Sequence, residues 1–132
     1  MDNIEWLEEQ VKEQERKRFK KESKQIKKKI IKAAKQFKGW DYGFLLCIIE
    51  PCLELMSKNL GNKYITPVDT EWEDNNAKEY NGIGWTEYTT KLKEAYELIK
   101  TRNDNINLAQ EDEKKLKKAF NIIAKYIMYW WN

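Results

Sequence analysis

Histidine is absent from this sequence, and that absence excludes more than any residue present. Without an imidazole there is no Ser-His-Asp or Cys-His nucleophile, no histidine-ligated metal and no ordinary general base poised near neutral pH. Only acid-base work by paired carboxylates stays open, as with Glu50 and Glu54 one turn apart, and both are expected to face water. Cysteine is scarce too. Cys47 and Cys52 lie five positions apart in what reads as one helix, so their side chains point about 140° apart and cannot bridge. With no third thiol there is no zinc shell, and both are read as buried structural thiols. No metal and no cofactor are implied. The longest uninterrupted apolar run, Phe44 to Ile49, is far short of the roughly 20 residues that span a bilayer, so no membrane partner is expected. Met1 to Gln10 hold four acids and no apolar run, unlike a signal or transit peptide. The expected location is the cytoplasm.

What is present suits one all-α domain. A chain of 132 residues with 41% apolar side chains can bury a single core, and 36% charged residues fit solvated helix faces. Phe19, Ile26, Ile30, Ala33 and Phe37 fall within about 60° on a helical wheel, predicting an amphipathic helix over residues 19–38 that stops at Gly39. Upstream, Ile4, Leu7 and Val11 form a second stripe roughly 80° away. If residues 3–38 are one helix, it is about 54 Å long, against a globule diameter of roughly 36 Å. Residues 1–18 then form a projecting helical arm on a single helical domain of residues 19–132, and Trp6, Leu7 and Val11 become candidates for covering by a partner or a second copy.

Asp41 reads as the N-cap and Gly61 as the stop of a mostly apolar central helix. Pro51 inside it predicts a kink or a break. Residues 62–84 lose periodicity, and a small hairpin or one helical turn fits there. Trp85, Tyr88, Leu92, Ala95, Tyr96 and Ile99 share the face of a third helix begun at Thr86 or Asn81. A last one, Leu108 to Trp131, carries the stripe Leu116, Ala119, Phe120, Ile123, Ile127 and Trp130. Its acids Glu111, Asp112 and Glu113 precede a basic remainder that begins at Lys114, matching the helix dipole. The expected architecture is a bundle of about four helices, with a long basic N-terminal helix and a kinked, buried central one.

Charge is strongly polarised along the chain. Residues 12–38 hold 13 Lys or Arg against three Glu, a balance of +10, whereas residues 1–11 carry −4 and the rest −3. Lys20, Lys21, Lys24, Lys27, Lys28, Lys32 and Lys35 fall opposite the apolar stripe, a geometry suited to phosphates, to an acidic protein or simply to water. With only two arginines in this segment and no aromatic interleaved on that face, base-specific readout is not expected. The acidic stretch Asp69, Glu71, Glu73, Asp74 lacks the glycine of a calcium loop and reads as solvated, or as docked on the basic helix. Trp72 within it is a partner-contact candidate. At the end, Tyr126, Tyr129, Trp130 and Trp131 surround one helix axis, with Trp130 read as core and Trp131 as surface or partner contact.

Two stretches carry a resemblance. The run WDYGFLL (Trp40 to Leu46) followed by LELM (Leu53 to Met56), and the ending KAFNIIAKYIMYWWN (Lys118 to Asn132), resemble a diffuse group of short phage and prophage proteins. Those proteins share an Asp-Tyr-x-Phe-Leu-Leu helix start and finish on two tryptophans and an acid, which Asn132 replaces here. The similarity covers about a third of the chain and transfers no residue role. It implies a non-enzymatic accessory protein that binds a protein target, such as a bacterial defence component or host enzyme, and so inhibits it. Sequence-nonspecific nucleic-acid binding through the lysine face is the alternative, and self-association through the arm fits either.

Overall fold

Thirty-four consecutive residues without proline or glycine, rich in Lys, Glu and Gln, form one unbroken helix, α1 (Asn3–Gln36). The computed structural model describes residues 3–36, 39, 42–60, 62, 70–80, 82–102 and 109–130. Among them the chain is all-α: α1 is followed by α2 (Tyr42–Asn59), α3 (Thr70–Asn75), a 3-10 turn (Ala77–Tyr80), α4 (Trp85–Lys100), α5 (Ala109–Tyr126) and a second 3-10 turn (Ile127–Tyr129). No strand occurs among these residues. The layers follow chain order. Helix α1 packs on α2, α2 on α4, and α4 on α5, while the short α3 leans on α4.

Apolar periodicity explains each contact. Ser23, Ile26 and Ala33 are the buried positions of α1, a narrow stripe that meets α2. Leu46 and Leu53 carry α2 into the core. Leu92, Ala95 and Ile99 of α4 and Ala119 of α5 have no exposed surface at all, which makes the α4–α5 contact the centre of the fold. Gly39 has φ +82, the left-handed conformation that a glycine supplies after a helix end.

Several expectations need correction. Helix α2 runs continuously through a buried Pro51, so the break does not occur. One proline removes a single ladder donor, and packing on both sides of α2 outweighs that loss. Cys47 is exposed and only Cys52 is half-buried, its thiol pKa pushed up by burial. Glu50 and Glu54 do not face water freely: Arg102 Nη1 donates to Glu50 at 2.8 Å, and Glu54 meets Lys58 at 3.3 Å and Lys29 at 3.8 Å. Asp41 and Gly61 lie outside the described residues.

The segment 70–80 is helical, the second of the two forms that the sequence allowed there, and its acids Glu73 and Asp74 are engaged. Glu73 accepts a short hydrogen bond from the Tyr88 hydroxyl, and both Asp74 oxygens accept from Thr86, from its backbone N–H at 3.0 Å and its hydroxyl at 2.6 Å. Helix α4 starts at Trp85 with Gly84 as N-cap, and glycine has no side chain to cap with. Asp74 therefore caps α4 from α3, twelve residues away. Gly84 is itself required here, because an added Cβ would come 2.5 Å from Asp74 Oδ1. Thr86 holds the Asp74 carboxyl below its ordinary range. Asp74→Ala is expected to cost about 1 kcal/mol. Because the folded pKa is depressed, that contribution is present above the ordinary carboxylate range and lost as pH falls through and below it. Thermal melts of wild type and variant should diverge at neutral pH and converge in acid; a constant gap would contradict the cap.

Helix α5 ends at Tyr126, and its buried face differs from the sequence stripe. Ala119, Ile122 and Tyr126 are buried with Trp130, whereas Phe120 and Ile127 are 40% and 52% exposed. The sequence offers two adjacent apolar sectors on α5, and docking on α4 selects the one centred on Ala119. Phe120 is left at the surface.

Candidate binding surfaces

The sequence places the lysine face on the outside of α1. Lys20, Lys21, Lys24, Lys27, Lys28, Lys32 and Lys35 are all exposed. The three glutamates of the same segment are engaged elsewhere: Glu13 with Lys17 at 3.9 Å, and Glu15 and Glu22 with Arg18 at 2.8 and 2.9 Å. Arg18 and Asn62 together hold the Glu15 carboxyl below its ordinary pKa. None of the seven lysines makes an ion pair among the described residues. Their charge is thus left to solvent or to a ligand. A shallow groove on this face is lined by Phe19, Ser23 and Ile31 between lysines, and Ile31 is 54% exposed.

The first turns of α1 are exposed throughout. A 34-residue helix is about 51 Å long, longer than the roughly 36 Å expected of the folded domain. Every residue from Asn3 to Val11 is exposed, including Ile4 (69%), Trp6 (55%), Leu7 (54%) and Val11 (42%). Contact with the rest of the fold is present by Glu15, which accepts from Asn62 at 3.0 Å. The apolar side chains of this stretch have no cover among the described residues.

The other candidates separate from α1. Trp72 is exposed on α3, and Trp131, Asp69 and the Glu71 side chain lie outside the described residues. Trp130 is buried and its Nε1 donates to the Tyr88 carbonyl at 2.8 Å. No group of three or more His, Cys, Asp or Glu among the described residues could hold a metal ion. None of the described helices is long and apolar enough to cross a membrane.

A second basic surface lies between α4 and α5. Lys91, Lys114, Lys117, Lys118 and Lys125 line one groove there, with Ile122 and Tyr126 beneath. Two carboxylates answer some of them: Glu94 meets Lys91 and Lys118 at 3.2 Å each, and Glu113 meets Lys117 at 2.8 Å. Those contacts hold both carboxyls below their ordinary pKa. The sequence had presented these α5 lysines only as partners of the helix dipole. Compared with family models, with curated proteins and with solved structures, the chain matches none.

Proposed function

We propose that this chain is a non-enzymatic accessory protein that binds a protein target through α1. The observation that carries the reading is the juxtaposition on one rod of seven unpaired lysines and an uncovered apolar end. The lysines attract a carboxylate-bearing surface, and Trp6 and Leu7 supply the desolvated anchor that fixes it. The phage resemblance supports an inhibitor of a bacterial defence system or host enzyme. The rod acts by covering a site on its target and needs no chemistry of its own.

The test is capture from nuclease-treated bacterial lysate on the immobilised full chain, beside the variant Trp6→Ala/Leu7→Ala. A protein retained by the wild type and lost by the variant is expected. Retention that disappears on nuclease treatment, or that ignores the variant, sinks the reading. A second copy is the other occupant the overhang can take, and native mass spectrometry distinguishes it as a dimer.

Nucleic-acid binding is the second reading, favoured by the lack of an ion pair at any of the seven lysines among the described residues. Its signature is a log–log salt slope near −6 for seven lysines on duplex, at ~0.9 per phosphate. Affinity for duplex DNA unchanged between low and moderate salt would remove it.

A further inference from the structure

Two grooves meet along α5. The basic groove described above shares Lys117 and Asn121 with a neighbour of about 470 Å3 lined by Tyr42, Leu116 and Phe120, with Asp112 and Glu113 beside them. Tyr42 is 66% exposed and Phe120 40%, so two aromatic rings stand open on the far side of the ridge from the lysines. Lys114, Lys118 and Lys125 fall within about 40° on α5, and successive members of this row are separated by ~6 and ~10 Å of helix rise. Lys114 makes no ion pair among the described residues, and Lys125 lies over the Tyr126 ring at 5.2 Å, free of any carboxylate. Lys118 retains donors beyond its contact with Glu94.

We propose that the outer face of α5 binds a single-stranded nucleic acid, its bases stacking on Tyr42 and Phe120 and its phosphates running along Lys114, Lys118 and Lys125. Cations in a row beside open aromatic rings form the combination that a flexible strand satisfies, because every base has a stacking face and every linkage a charge. A duplex hides its base faces and can use only the lysines. An acidic peptide fits poorly, since the aromatic groove carries the Glu113 carboxylate on its rim. A base is uncharged there and stacks without bringing a phosphate onto that carboxylate. This surface is separate from α1, which packs on α2 and presents charge without the paired rings.

Fluorescence anisotropy with a labelled oligothymidylate of about 20 nucleotides, longer than typical site sizes of ~4–16, tests the proposal at low salt beside a duplex of equal length. The full chain is expected to bind the strand more tightly than the duplex. Tyr42→Ala should weaken strand binding about tenfold and leave its salt slope unchanged, whereas Tyr42→Phe, which keeps the ring, should retain affinity. The triple variant Lys114→Gln/Lys118→Gln/Lys125→Gln should reduce the salt slope by about 2, at ~0.7 per phosphate. Lys20→Gln/Lys24→Gln/Lys27→Gln on α1 should leave the preference for the strand in place. Both Tyr42 variants are at an exposed position, so thermal melts should match the wild type. Equal affinity for strand and duplex, no binding of the strand, or binding lost only in the α1 variant would each overturn the proposal.

Discussion

Trp130→Ala is expected to lower stability by about 3–5 kcal/mol and the thermal midpoint by roughly 10–20 °C. Trp130 is 7% exposed and belongs to the cluster that joins α2, α4 and α5. Its ring fills the space between the end of α5 and the start of α4, where Tyr129 stacks on Tyr88 with ring centroids 5.9 Å apart. Its Nε1 donates to the Tyr88 carbonyl, so the residue also fixes the direction of the last turn. Trp130→Phe keeps a buried ring but loses that hydrogen bond and three heavy atoms of packing, so it should cost about 2 kcal/mol. Differential scanning calorimetry on the three proteins reads both effects. A shift below about 3 °C for the alanine variant would mean that the final turn does not close the core.

The second large effect belongs to the overhang. Trp6→Ala/Leu7→Ala should weaken target binding at least about 30-fold, the magnitude of a buried aromatic hot spot. The same double variant should change folding stability by less than about 0.5 kcal/mol, because both side chains already stand in water. That separation is the diagnostic part. If the melt shifts as far as the affinity does, the overhang serves the fold of the chain and not a partner.

Much of the helical fold can be read without coordinates, because its signals are local. The length of α1 follows from an unbroken run of good helix formers. The apolar face of α4 was legible for the same reason: Tyr88, Leu92, Ala95 and Ile99 repeat at helical spacing and all are buried. The outward placement of the seven lysines also needs only periodicity, since opposite sides of one helix cannot both meet α2.

Other features depend on what lies across a gap. The cap of α4 comes from Asp74, and nothing in the residues next to Gly84 announces it. Glu50 and Arg102 are 52 positions apart and become partners only when α2 and the end of α4 are side by side. The aromatic groove on α5 is the plainest case. Phe120 belongs to an apolar stripe that a wheel assigns to the core, yet the neighbouring stripe is the one that docks.

By itself, then, the sequence determined an all-α chain without imidazole chemistry, a polarised charge distribution and a long unbroken first helix. Those properties reside in composition and in the 3.6-residue repeat, which each segment carries alone. The tertiary structure decided which side of α5 is buried, which carboxylates are engaged and where aromatic rings stand beside lysines. Such outcomes depend on competition among surfaces for the same neighbour, and burial goes to the face that packs best against it.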